Sequence, residues 1–279
     1  MMQPTQQAPA LSANPQAARL YIDLLKKVIT CSLWKGGDGA IIPRRGLVRR
    51  LVVGTARSMG LRVIRPVRGD ERQEGRDWPV LAHSMTGQKR IDALVELVET
   101  VLRDNVPGDF IETGVWRGGS VILMRGVLKA WGVADRVVWC ADSFEGLPPP
   151  DPKIAADKGD VLHQYSELAV SIEEVKSNFD AYGLLDDQVR FLKGWFKDTL
   201  PTAPIEKLAI ARLDGDMYES TMDALVSLYP KLSPGGFLIV DDYEVSQSCK
   251  QAVHEYREKH HINEPIVPID THSAYWRRA

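Results

Sequence analysis

Apolar residues from Arg19 to Thr30 recur at helical spacing, at Leu20, Leu24, Leu25 and Val28, which predicts a first helix. A second amphipathic stretch, Arg45 to Met59, carries Leu47, Leu51 and Val52 on one side. A polar loop of residues 68–79 follows. From there the pattern becomes regular. Helices are expected over Ile91–Arg103, Ser120–Trp131, 167–181, Thr221–Tyr229 and Ser246–His260. Strands are expected over Asp109–Glu112, Arg136–Ala141, Val189–Leu192, Leu208–Leu213 and Gly236–Val240, with short ones near Ile266–Ile269 and Ala274–Trp276. Each inner strand is a continuous apolar run rather than an alternating one. That is the mark of a mostly parallel sheet covered by helices on both faces, an α/β fold. The expected organisation is a disordered Gln/Ala/Pro-rich tail (1–18), a helical extension (19–82) and one α/β domain (83–279).

Composition narrows the function. Lys and Arg total 35 against 37 Asp and Glu, a net charge of −2. This near-balance argues against a protein built to bind nucleic-acid backbone or an anionic membrane. No apolar run is long enough to cross a bilayer, and the start lacks the basic and apolar regions of a secretory signal. Cys31, Cys140 and Cys249 lie far apart without a CxxC or Cys/His cluster, which suits free thiols in a reducing cytoplasm and no zinc. Arg44, Arg45, Arg49, Arg50 and Arg57 make the second helix basic, either as a solvated face or against an anionic partner.

In a parallel sheet, ligands sit beyond the carboxyl ends of the strands. Every such end read here carries an acidic residue: Glu112, Asp142, Asp214 and Asp241–Asp242. The segment from Phe110 to Ser120 is a strand, a turn with Gly114, Gly118 and Gly119, and a helix entry. Asp142 ends the next strand, where a carboxylate can accept both ribose hydroxyls of a nucleoside ligand. NAD and S-adenosyl-L-methionine (SAM) both fit that outline. NAD, however, needs a dense glycine turn against its pyrophosphate, and here Trp116 and Arg117 stand inside the loop. Glu112 would face a pyrophosphate badly but can hold an amino group, so the balance favours SAM.

Asp214 closes one strand, and Asp241 and Asp242 close another after a single intervening helix, so the two strands are expected to be parallel neighbours. Three carboxylates converging there would repel one another, and a hard dication with oxygen ligands, Mg2+, would relieve the repulsion. Capping of helices by Asp216 and Asp242, or pairing of Asp214 with Arg212 or Lys207, are the plainer roles. His163 is placed in a loop that either lines a substrate pocket or is simply exposed, and His272 precedes the last strand. Tyr21, Trp34 and Trp78 of the extension would either cover the site as a lid or pack in a core.

Six separated motifs occur in order: ETGVWRGGS (112–120), ADSFEGLP (141–148), GWFKDTLP (194–201), RLDGDMYESTMDAL (212–225), YPKLSPGGFLIVDDY (229–243) and AYWRR (274–278). Together they resemble the macrocin O-methyltransferase family, whose members methylate sugar hydroxyls on macrolide and aminocoumarin antibiotics with SAM and Mg2+. The resemblance runs from about Leu20 to Arg277. It implies the class I, Rossmann-like methyltransferase fold, seven strands with the last antiparallel, and a homo-oligomer acting on a small-molecule glycoside.

It also implies roles for individual residues. Met85, Glu112, Gly114, Trp116, Gly118 and Ser120 would surround the methionine end of SAM. Asp142 would hold the ribose, with Ser143 and Phe144 beside it, and Ser171, Gly194 and Trp195 would lie around the adenine. Asp214, Asp241 and Asp242 would ligate Mg2+, and Asp214 would be the base that takes the acceptor proton, with Asp216 or a histidine as alternatives. The related catechol-type enzymes place a lysine where this chain has Met217, which favours a sugar hydroxyl over a phenol as acceptor. Two readings outside this one, a dehydrogenase and a non-catalytic SAM- or nucleotide-binding module, fit the acidic strand ends less well.

Overall fold

A computed structural model describes residues 14–34, 38–42, 47–61, 63–68 and 70–279. The expected tail up to residue 13, together with Arg44, Arg45 and the side chains of Arg49, Arg50 and Arg57, lies outside the described residues. In chain order the elements are α1 (Pro15–Ile29), β1 (Ala40–Ile41), α2 (Leu47–Ser58), β2 (Ile64–Arg65), α3 (Gln88–Arg103), β3 (Asp109–Thr113), α4 (Gly119–Ala130), β4 (Val138–Asp142), α5 (Ile172–Ala181) and β5 (Val189–Lys193). There follow α6 (Phe196–Thr199), β6 (Leu208–Leu213), α7 (Tyr218–Leu228), β7 (Leu232–Val240), α8 (Gln247–Lys259), β8 (Val267–Pro268) and β9 (Ala274–Arg277).

Seven strands form one sheet in the order β5-β4-β3-β6-β7-β9-β8, and β1 and β2 pair separately. Strands β3 to β7 run parallel, whereas β9 is antiparallel to both β7 and β8. The chain leaves the central β3 toward β4 and β5, then returns to β6 on its other side. This reversal opens a crevice beyond the ends of β3 and β6. Successive strand residues feed two cores: Phe110 packs with α1, α3, α4 and α5, and Ile111 packs with α7 and α8.

The extension is not a separate layer. Helix α1 buries Ala18, Ile22, Leu25 and Ile29 in the core it shares with α3 and α4, and Leu25 occupies the space a side chain at Gly126 would need. The buried stripe is therefore rotated from the expected one, and Leu20 and Leu24 face outward at 65% and 52% exposure. The helix expected over 167–181 divides into a single 3-10 turn, Ser166–Leu168, and α5, whose N-cap is Ser171. Three cysteines remain as free thiols. No described helix is long and apolar enough to cross a membrane.

Because Ile29 is fully buried in the shared core, Ile29→Ala is expected to destabilise the whole domain by about 2–4 kcal/mol. Urea denaturation followed by tryptophan fluorescence checks this; an unchanged midpoint would mean that α1 is dispensable to the core.

Candidate active site

Strand β3 ends at Thr113, and the chain turns at Gly114, whose φ is +85° and whose N–H donates to the Ala141 carbonyl at 2.9 Å. A side chain there would collide with the Asp214 carbonyl, so the close approach of β3 and β6 requires glycine. Trp116 and Gly118 also have positive φ, +47° and +88°, and Gly118 is the N-cap of α4. Asp142, at the end of β4, pins this turn: its Oδ2 accepts from Val115 N at 2.8 Å and its Oδ1 from Phe144 N at 2.7 Å. Burial pushes its pKa upward against the pull of these backbone donors. Oδ1 also accepts from Ser143 Oγ at 3.4 Å, and the second lone pair of Oδ2 leaves capacity for a ligand's hydroxyl.

Two adjoining cavities open at this crevice. The first is lined by Met85, Gly114, Trp116, Asp142, Ser143 and Trp195 together with Asp214 and Asp216. The second is lined by Trp78, His83, Met85, Glu112, Ser120, His272 and all four aspartates 214, 216, 241 and 242. Met85, Gly114, Trp116, Leu168, Asp214 and Asp216 border both, which makes them one continuous site.

Four expected residues stand apart from these walls. Phe144 is buried against Phe191, with ring centroids 6.1 Å apart. Gly118 faces Val175. Gly194 meets the site only through its N–H, which donates to the Asp142 carbonyl at 2.9 Å. Ser171 is exposed, and its hydroxyl accepts from Glu174 N at 3.1 Å as a helix cap. His163 and the lid candidates Tyr21 and Trp34 do not line either cavity, whereas Trp78 does.

The acidic end is arranged around two buried arginines. Arg212 sits in the otherwise apolar β6, where its charge must be met locally. Its Nη1 donates to Glu112 Oε1 and, at 2.7 Å, to Asp214 Oδ2; its Nη2 donates to Asp241 Oδ1 and, at 3.0 Å, to Thr86 Oγ1. Arg90 of α3 donates to Asp241 Oδ2 at 2.6 Å, and its Nε lies 3.1 Å from Asp270. Oxygens of Asp214, Asp216 and Asp242 lie within 4.8 Å of one another.

Of the trio expected from the strand ends, Asp214 and Asp242 lie in this cluster and Asp241 lies beside it. Asp241 turns both oxygens onto arginines, and Asp216, held at a φ of +60°, stands in the cluster instead. Arg90 and Thr86 gave no sequence signal. Arg212 did, as a lone cation inside an apolar strand.

The electrostatics follow this division. Burial and repulsion by Asp241 push Asp214 up to about 6, against Arg212. Burial and repulsion by Asp214 and Asp241 push Asp216 up to about 8. Asp242 is raised well above the carboxylate range by burial and by Asp216 and Asp214. Asp241 moves the other way: burial opposes its charge, but Arg212 and Arg90 outweigh it. Glu112 is pushed up to about 8 by burial, with Arg212 pulling against it. Met217, fully buried as the N-cap of α7, brings no ammonium to the site.

The family profile of Macrocin-O-methyltransferase (TylF) matches residues 18–278. The Mycinamicin III 3''-O-methyltransferase of Micromonospora griseorubida is 48% identical over 266 residues, which cover 93% of this chain and 96% of that protein. The 8-demethyl-8-(2,3-dimethoxy-alpha-L-rhamnosyl)-tetracenomycin-C 4'-O-methyltransferase of Streptomyces olivaceus is 51% identical over 263 residues, 94% of this chain and 93% of that one. Among solved structures, the O-methyltransferase NovP superposes with a TM-score of 0.83 at 49% identity, covering 94% of this chain and 99% of its own. The calicheamicin methyltransferase CalS11, 18% identical with a TM-score of 0.55 over 99% of this chain and 98% of its own, shares the fold. With a class I methyltransferase sheet, a glycine turn over a nucleoside-sized crevice and these relatives along nearly its whole length, the chain belongs to the macrocin O-methyltransferase family and is a SAM-dependent O-methyltransferase.

Proposed function

We propose that this enzyme methylates a hydroxyl on the sugar of a small-molecule glycoside, with Mg2+ at the carboxylate cluster. The observation that carries the reading is the adjacency of the two cavities: a nucleoside-shaped site at Gly114 and Asp142 opens onto crowded aspartates. The rhamnosyl acceptor named for the Streptomyces olivaceus relative supports the substrate class. SAM would lie with its ribose on Asp142, between Ser143 and Trp195, and its methionine end along Met85, Gly114, Trp116 and Ser120. Glu112, which lines the second cavity and is held by Arg212, would face the amino end of SAM, while Gly118, Phe144, Ser171 and Gly194 would act from behind these walls by shaping the turn and the helix ends.

The donor set fits a dication. Oxygens of Asp214, Asp216 and Asp242 lie within 4.8 Å of one another, their pKa values are raised by burial and by mutual repulsion, and only Asp214 among them meets an arginine. Asp214, Asp241 and Asp242 are assigned as its ligands. Of the four aspartates Asp241 alone has a lowered pKa and so stays ionised, and to reach the ion it would exchange one of its contacts to Arg212 and Arg90 for the metal. When bound, the ion supplies a Lewis acid that neutralises the cluster and makes a nearby hydroxyl more acidic.

Asp216 then stays free of the ion and, standing beside its ligands in the cluster, is placed to take the acceptor proton. It replaces Asp214, which Arg212 and the ion occupy, as the base. In the reaction the acceptor oxygen attacks the methyl carbon, the carbon–sulfur bond breaks, the proton passes to Asp216 and S-adenosylhomocysteine leaves. The exposed Leu20 and Leu24 of α1 offer an apolar face for self-association of the chain.

A panel of deoxysugar glycosides and simple phenols, incubated with SAM and Mg2+ and read by S-adenosylhomocysteine release, tests the substrate class. Turnover is expected with glycosides only, and turnover confined to phenols would overturn the reading. EDTA should abolish transfer while calorimetry still detects S-adenosylhomocysteine binding.

Asp216→Asn should keep Mn2+ binding and lose roughly 10²–10⁴-fold in kcat, whereas Asp241→Asn should lose the ion. The reverse pattern would make Asp216 the third ligand.

Proton linkage gives a further check. Asp216 ionises about four units above an unfolded aspartate, so the metal-free native state holds a proton that the unfolded chain has lost. Its stabilising contribution is therefore lost as pH rises through about 8. The metal-free melting temperature should fall as pH rises from about 5 to about 8 and level off above, a slope reduced in Asp216→Asn, where Glu112 and Asp242 still contribute. The Mg2+-induced rise in melting temperature should grow over the same range.

A further inference from the structure

Two consecutive residues of the glycine turn hold the two loops that wall the acceptor side. Trp116 Nε1 donates to the Glu167 carbonyl at 3.0 Å. Arg117, whose guanidinium lies 4.2 Å from the centroid of the Trp116 ring, leaves the turn in another direction. Its Nη1 donates to the carbonyls of Pro79, Val80 and Ala82 at 3.3, 3.0 and 3.0 Å. The amides of the same strap are taken by Asp38: its Oδ1 accepts from Val80 and Leu81 at 3.0 and 2.9 Å, and its Oδ2 from Ala82 at 3.1 Å. Arg72 fixes Asp38 at 2.8 Å. The strap 79–82 lies outside the helices and the main sheet, so these side chains satisfy much of its backbone.

The strap leads directly into the site. The next residue, His83, accepts from Gly119 N at 2.9 Å through its carbonyl, and no side chain would fit at Gly119 against His83 and Ser84. Met85 then borders both cavities, and Thr86 accepts from Arg212. On the other flank Trp78 stands edge-on to Tyr165 of the second loop, with ring centroids 5.1 Å apart.

We infer that Arg117 is a positioning residue: through it, filling of the glycine turn by the donor sets the strap 79–82, and with it the acceptor-side residues 83–86. Its side chain lines neither cavity. Its effect passes through Trp116, which does line them, on one side, and through three strap carbonyls on the other. The inference rests on the proposed seat of SAM in this turn.

Hydrogen exchange of the peptide 79–86, measured by mass spectrometry with and without S-adenosylhomocysteine, tests it alongside calorimetry of the same ligand. In the wild type the ligand should slow exchange there by about tenfold or more, the scale of a typical coupling between sites. Arg117→Ala should bind S-adenosylhomocysteine within about threefold of the wild type yet lose most of that slowing, and Arg117→Lys, a point charge without the planar fork, should fall between. With an acceptor from the glycoside panel, acceptor KM should rise about tenfold in Arg117→Ala while the KM for SAM stays within about threefold.

Undiminished slowing in Arg117→Ala overturns the inference. So does a loss of ligand affinity that matches the loss of slowing, which would make Arg117 a donor-site residue. Where Arg117→Ala melts early, Arg117→Lys carries the same comparison. Failure of the wild type to bind S-adenosylhomocysteine would instead remove the proposed donor seat.

Discussion

A guanidinium buried in the middle of a parallel sheet is the constraint on which this molecule turns. Arg212 of β6 lies behind the crevice, lining neither cavity, and together with Arg90 supplies the counter-charge for Glu112, Asp214 and Asp241. Removing a charge from water is costly unless partners replace the lost solvent, and here three carboxylates and a threonine hydroxyl do so. In return, Arg212 fixes the ends of β3, β6 and β7 relative to one another, because each contributes or adjoins one of its partners. Arg90 extends the arrangement to α3 and to Asp270. Asp216 and Asp242, left outside this group, have their ionisation suppressed by burial and mutual repulsion, as burial also suppresses that of Glu112 within it.

The same crevice explains why the donor and acceptor sides are continuous. Gly114 lets β3 approach the backbone of Asp214 more closely than any side chain allows, so the glycine turn and the first aspartate of the acidic cluster are in direct contact. Asp142 then uses both oxygens to hold the turn from the β4 side. Geometry at the reacting centre is in this way set by backbone and short side chains on strands, which place groups more rigidly than loops do.

Much of this was legible in the sequence. The run Leu208–Leu213 could be delimited to the residue because it is wholly apolar but for Arg212 and is followed at once by Asp-Gly-Asp. The acidic residues at strand ends located the crevice for the same reason. What escaped has physical causes. Strands β1 and β2 are two residues long and too short for any periodicity. In α1 both candidate stripes are apolar, and only packing against α4 selects the one through Ile22 and Ile29. That Asp241 faces arginines and Asp216 stands among the crowded carboxylates depends on where Arg90 arrives from α3, far away in sequence, and on a left-handed backbone at Asp216 that no spacing rule foretells. Ser171 is different: Ser171-Ile-Glu-Glu174 carries the signature of a helix start, and its hydroxyl is used for that.

The edge-on meeting of Trp78 and Tyr165 has an evolutionary corollary. Two segments encoded far apart touch beside the second cavity, which Trp78 lines, so neither can lengthen or shorten alone without breaking the bridge between them. Diversification toward bulkier or smaller glycosides would therefore proceed by paired changes in these segments, leaving the sheet beneath them untouched.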